Sequence, residues 1–198
     1  MSSDRKEVDC GRRNLVFATA AVGGVATVAT AVPFLASMAP SERAKAAGAP
    51  VEADIGNLAP GEMLRVEWQG QPVWILRRTQ EMLASLKQVA DQVADPDSKR
   101  PNQPAYIQGE TRAIKPEYLV VVGICSHLGC SPTDKFQTGA ASGIDDNWPG
   151  GFLCPCHGST FDLSGRVYKN KPAPDNLKVP PHYYITDTRI LIGEDKKA

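Results

Sequence analysis

Two stretches decide how this chain is read: Cys125-Ser126-His127-Leu128-Gly129-Cys130 and, further on, Cys154-Pro155-Cys156-His157-Gly158-Ser159. Each offers one Cys and one His close together, C-x-H in the first and C-x-x-H in the second, plus a second Cys. The chain has three His and five Cys, and two of the former and four of the latter lie here. Structural Cys and His would be scattered through a core, so this concentration argues for a site. Thiolate and imidazole together are metal ligands. A structural zinc accepts two of each, but its pairs usually come as C-x2–4-C and H-x3–5-H. Here the pairs are mixed, and two further Cys must be accounted for. In an oxidising compartment a disulfide between the stretches can pin them together.

Working outward, Tyr118–Ile124 (YLVVVGI) reads as a buried strand feeding the first stretch, and a short strand is expected at Phe152–Cys154 before the second. Residues 63–68 alternate apolar and polar, Gln69-Gly70-Gln71 turns, and residues 72–76 return as the second arm of a hairpin. Thr79 is placed to cap a helix over about Gln80–Val93, with Leu83, Leu86, Val89, Ala90 and Val93 on one face. Residues 94–113 read as a polar loop. After the second stretch come Phe161–Asp162, a turn at Ser164-Gly165, the Pro-rich loop Lys171–Pro174 and a closing hairpin, His182–Thr186 with Arg189–Ile192. One helix and eight or nine short strands predict a mostly antiparallel β domain over 57–198, with a cluster-binding subdomain near 123–174. Trp68, Trp74, Tyr183 and Tyr184 fit core positions, His182 a structural role, and Arg77-Arg78 a solvated strand end.

Leu15–Met38 is free of charge. Its 24 residues would span about 36 Å as a helix at ~1.5 Å per residue, enough for a ~30 Å hydrocarbon core. Arg5, Lys6, Arg12 and Arg13 precede it, which places residues 1–14 in the cytoplasm and the rest of the chain across the membrane. Gly11-Arg12-Arg13-Asn14-Leu15-Val16-Phe17 resembles a twin-arginine export signal, a route that carries folded proteins. An uncleaved anchor is expected, because secretory h-regions run to about 7–15 residues. The alternative is a signal cleaved near Ser37–Ala39 or Ala47–Ala49. Cys10, ahead of the anchor, lies in a reducing compartment and has no assigned role. Residues 39–56, rich in Ala, Gly and Pro, read as a flexible hinge with an end-to-end distance of about 25 Å and a ceiling near 60 Å.

At 198 residues the chain holds one ordinary domain besides the anchor. Its 22 basic and 22 acidic residues balance, so charge gives no reason to expect a nucleic-acid partner.

The paired motifs C-x-H-L-G-C and C-P-C-H-G-S resemble the signature of Rieske proteins, in which two His replace two Cys on one iron of a [2Fe–2S] cluster. The anchor, the linker, Lys115-Pro116-Glu117 and the Pro-Ala-Pro loop resemble the bacterial iron–sulfur subunit of the quinol–cytochrome c reductase (cytochrome bc) complex. The resemblance covers nearly the whole chain. It implies Cys125 and Cys154 as ligands of the inner iron, His127 and His157 as ligands of the outer one, and a Cys130–Cys156 disulfide. It also implies Leu128 and Gly129 as the apolar tip entering the quinol pocket of a cytochrome b subunit, and Ser159 as a hydrogen-bond donor to a cluster sulfur.

By the same resemblance, His157 accepts a hydrogen bond from quinol and takes its proton as the electron moves. The head then passes the electron to a c-type cytochrome within a dimeric multi-subunit complex of the inner membrane, the soluble domain lying in the periplasm. Relatives of high potential carry Tyr where this chain has Phe161, so a lower potential is expected. Two rival readings are a Rieske small subunit of another membrane-associated oxidase, such as arsenite oxidase, and a zinc-stabilised anchored module.

Overall fold

The alternation that marks residues 63–76 in the sequence produces a tight antiparallel hairpin. In the computed structural model, which describes residues 10–195, β2 (Met63–Trp68) pairs with β3 (Gln71–Arg77), Trp68 facing Gln71. Gln69 and Gly70 both have positive φ, 53° and 71°, the two-residue turn whose twist matches that of the flanking strands. β3 pairs in turn with β4 (Tyr118–Val122), every residue of which is buried. This β2-β3-β4 sheet is the middle layer of the head. Its period of two sends Val73, Ile75, Val120 and Val122 to one face and Trp74, Leu76, Leu119 and Val121 to the other.

The first face packs against a sheet of order β1-β9-β8, built from β1 (Val51–Asp54), β8 (His182–Thr186) and β9 (Arg189–Ile192). The second packs against the core of the motif-bearing part, Phe152, Phe161, Leu163, Val167, Leu177, Cys125 and Cys154. There β5 (Thr133–Lys135), β6 (Gly151–Leu153) and β7 (Thr160–Phe161) form a third sheet. The nine strands among the described residues are all paired antiparallel, so the expected mostly β architecture holds.

The chain divides into two compact units, Met1–Ala46 and Ala47–Ala198. The first contains α1 (Cys10–Ala36), the one helix among the described residues long and apolar enough to cross a membrane. It begins within the expected basic segment and ends close to the expected limit; Arg5 and Lys6 lie outside the described residues.

Several expectations are corrected. The stretch 39–56, read as a linker, contains a helix, α2 (Glu42–Ala47), and all of β1, which registers Val51 against Ile192 and Asp54 against Arg189. Val51 and Ala53 point inward and Glu52 and Asp54 outward, an alternation too short to stand out in an Ala-rich context.

The helix begun at Thr79, whose Oγ1 accepts from the Met82 N–H at 3.2 Å, is α3 (Gln80–Gln88) and stops five residues before Val93. Beyond it, Ala94 N–H bonds Val167 O, Gln92 O accepts from Lys169 N–H, and Val93 bridges Tyr168. These partners, distant in sequence, outcompete continuation of the helix.

Arg78 is not solvated. It is 2% exposed and donates to Pro116 O, Leu163 O and the Ser164 hydroxyl, while Arg77 pairs with Glu117 at 2.6 Å. Trp68 and Trp74 are core; Tyr183 and Tyr184 are half-buried. His182 is buried with Nδ1 2.9 Å from Pro180 O, and burial holds its imidazole below the usual range, in keeping with a structural role.

Candidate metal centre

Each motif folds into a closed loop of six residues with the same frame. In the first, Cys125 N–H donates to Cys130 O at 2.8 Å and Gly129 N–H to Cys125 O at 3.1 Å. In the second, Cys154 N–H donates to Ser159 O at 2.8 Å and Gly158 N–H to Cys154 O at 3.0 Å. The fifth residue of each turns with positive φ, 81° at Gly129 and 71° at Gly158, where a side chain would be strained. The first loop lies between β4 and β5, and the second joins β6 to β7, so two sheets hold them side by side.

The loops converge. Cys125 and Cys154 are each 2% exposed, while the His127 and His157 rings lie toward the surface with centroids 4.7 Å apart and planes nearly perpendicular. His157, Gly129 and Leu128 are exposed, Leu128 to 72%. Cys130 and Cys156 are joined by a disulfide between the loops. The Cys154 sulfur lies within 4.8 Å of both disulfide sulfurs, but those two carry no lone thiolate to offer a metal, so the three form no ligand set.

What remains is two buried thiols and two imidazoles. Burial pushes the Cys125 thiol up, the His127 backbone N–H works against it, neighbouring Cys154 adds to it, and the Ser159 hydroxyl lowers it. Two thiolates this close and this dry need a strong positive charge between them, which a bound metal would supply. The residues therefore fit a mixed sulfur and nitrogen centre.

The Pro-rich loop closes over the pair. Ala173 N–H donates to the Ser159 hydroxyl at 3.0 Å, and the Ser126 hydroxyl donates to Asp175 O at 2.6 Å. One serine from each motif thus holds one end of the covering loop, and Arg100 reaches Pro174 O and Asp175 from outside. Ser126 and Arg100 were not singled out in the sequence; their partners are 49 and 74 residues away or more.

A protein-family model described as the Rieske [2Fe–2S] domain matches residues 50–181, and a second, described as the ubiquitinol–cytochrome c reductase Fe–S subunit TAT signal, matches residues 1–41. The chain belongs to the Rieske family. Its curated relatives include the ubiquinol–cytochrome c reductase iron–sulfur subunit of Allochromatium vinosum, 57% identical over 93% of this chain and 89% of that one. The protein of the same name from Blastochloris viridis is 41% identical over 97% of both chains. Among solved structures, a chain of a hyperthermophilic respiratory Complex III covers 88% of this chain and 98% of its own, at 23% identity and a TM-score of 0.47, too loose a likeness to argue from.

The Rieske protein described here accordingly carries one [2Fe–2S] cluster and is an iron–sulfur subunit of the ubiquinol–cytochrome c reductase type, an oxidoreductase whose apolar N-terminal helix lies within the matched twin-arginine signal region. The zinc-module reading falls with that assignment. In this Rieske protein the disulfide closes a separation of 26 residues. Replacing both Cys130 and Cys156 by Ala is expected to cost roughly 2–4 kcal/mol, read as the temperature at which the holo-protein loses its cluster signal. An unchanged temperature would mean that the loop frames alone carry the site.

Proposed function

We propose that this subunit takes one electron, with a coupled proton, from ubiquinol and passes the electron to a c-type cytochrome. The observation that carries the reading is that His157, its ring against His127, and the apolar Leu128 tip are exposed while two thiols are buried. The relatives' printed name supplies the substrate and acceptor. Cys125 and Cys154 would hold the inner iron and His127 and His157 the outer. When bound, the cluster supplies a one-electron acceptor whose potential two neutral imidazoles raise above that of an all-thiolate centre.

The chain's own residues do the rest. His157 presents a ring nitrogen to solvent, where it accepts the quinol hydroxyl's hydrogen bond and then its proton. Leu128 and Gly129 offer an uncharged surface to an apolar pocket on a cytochrome b subunit and exclude water there. Ser159, itself fully buried, directs its hydroxyl at the Cys125 sulfur.

The basic flank Arg12-Arg13 and the export signal support a cytoplasmic N-terminus and a periplasmic head anchored in the inner membrane, within a dimeric complex. The hinge would be the non-helical residues on either side of α2, 37–41 and 48–50, shorter than composition alone implies because α2 and β1 take up the rest of the stretch.

In membranes carrying the full chain, dithionite is expected to elicit a rhombic EPR signal with average g below that of the free electron, and ubiquinol alone to elicit the same signal. A signal with dithionite but none with ubiquinol would remove quinol from the reading and leave the cluster. Phe161 is fully buried and carries no hydroxyl. Phe161→Tyr adds one donor and is expected to raise the midpoint potential by roughly 40 mV, the one-electron equivalent of a hydrogen bond worth ~1 kcal/mol. No rise would mean that Phe161 only packs.

A further inference from the structure

Three of the largest fully buried side chains are arginines: Arg78, Arg112 and Arg166, each at most 2% exposed. A guanidinium taken out of water is costly unless it is paired. Arg166 is paired, its Nε donating to Asp162 Oδ2 at 2.7 Å. Among the described residues Arg78 and Arg112 make no ion pair. Arg78 donates to Pro116 O, Leu163 O and the Ser164 hydroxyl. Arg112 donates to Ser164 O, Gly165 O, Leu177 O and the Gln103 side-chain oxygen, and its Nε has no acceptor. A neutral amide would hold carbonyls at a smaller desolvation cost, so the charges themselves need a reason.

Among the described residues the buried carboxylates are Asp162 and Asp95, 1% and 7% exposed, so the three buried guanidinium groups outnumber them by one. Burial lowers Arg78 and Arg112 to about 10, and both stay charged at neutral pH. Leu163, Leu177 and Leu86, whose carbonyls receive these three arginines, belong to the same contiguous apolar cluster as Cys125 and Cys154. Protein rather than electrolyte fills the space between, and buried charges are screened little.

We propose that Arg78 and Arg112 tune the redox centre by their unneutralised charge, stabilising its reduced form and raising its reduction potential. The proposal rests on the ligand set given above. Two ferric ions, two sulfides and two thiolates sum to zero charge. One electron makes the centre singly negative without forming or breaking a bond, and a nearby buried cation favours that form.

The test is an EPR-monitored redox titration of membranes carrying the full chain in its complex, with Arg112→Gln, Arg112→Lys, Arg78→Gln, Arg78→Lys and Asp95→Asn. Each Gln variant is expected to lower the midpoint, reducing the reduced-to-oxidised ratio at the wild-type midpoint by about five-fold. The Lys variants, which keep the charge but not the fork of donors, stay near wild type. Asp95→Asn, which removes a negative charge and retains an acceptor, shifts the midpoint upward. Equal shifts in Gln and Lys variants would assign the arginines to hydrogen bonding and overturn the proposal, as would unmoved midpoints throughout. Should the Arg112 variants fail to assemble, the Arg78 pair and Asp95→Asn decide. A wild type lacking the mixed-ligand signal would overturn the reading of the site instead.

Discussion

Asp162→Ala is expected to lower the stability of the head by about 3–5 kcal/mol. Asp162 is 1% exposed and lies at the turn leaving β7, the strand that follows the second motif. Its Oδ1 accepts from the backbone N–H groups of Ser164 at 2.9 Å and Arg166 at 2.8 Å, and its Oδ2 accepts from Arg166 Nε at 2.7 Å. Arg166 in turn donates to Leu86 O at the C-terminal end of α3 and to Pro96 O. Removing the carboxylate strands a fully buried guanidinium and two backbone donors at once, and the unpaired charge is the larger penalty. Breaking such a pair costs far more than replacing it, so Asp162→Leu combined with Arg166→Met should recover much of the loss. Thermal unfolding of the holo-protein is the measurement. A fall of about 6–20 °C corresponds to the stated range for a domain of this size. A fall of a degree or two would mean that water reaches the pair.

The second large effect is expected from Gly123→Ala. Gly123 joins β4 to the first motif, and its N–H donates to Pro72 O at 2.7 Å. An added methyl would lie 2.1 Å from Trp74 Cε2 and 2.4 Å from Cζ2. Trp74 is 2% exposed and its ring stacks on Phe152 with centroids 5.1 Å apart, so the indole has nowhere to retreat. Either the ring leaves the core or β4 separates from β3, and overpacking of this kind costs about 3 kcal/mol or more. Because Cys125 is two residues on, the cluster signal should diminish along with stability. A second variant separates the causes: Gly123→Ala with Trp74→Phe, which shortens the ring, should regain the signal. If the double variant is no better than the single one, the glycine is needed for its backbone and not for space.

Much of this was legible because the decisive contacts are local. The motifs carry four of the five Cys within two six-residue stretches. The β2–β3 hairpin announces itself by alternation around Gln69-Gly70, and Thr79 marks the start of α3. What was missed depends on partners far along the chain. Arg78 read as a solvated strand end because nothing near it accepts a hydrogen bond; its acceptors Leu163 O and Ser164 Oγ come from the turn beyond the second motif. The end of α3 is set by residues 167–169, and β1 is a strand only because β9 offers it an edge. The ligand candidates were readable from residue type, whereas the serine and arginine contacts holding the Pro-rich loop exist only after folding.

The matched frames of the two motif loops also make closing each loop a separate matter from joining the two. Each loop is closed by its own pair of backbone hydrogen bonds, and none of them uses the sulfur of Cys130 or Cys156. Each loop can therefore take its shape with Cys130 and Cys156 still reduced, and the disulfide ties together two frames that already stand on their own.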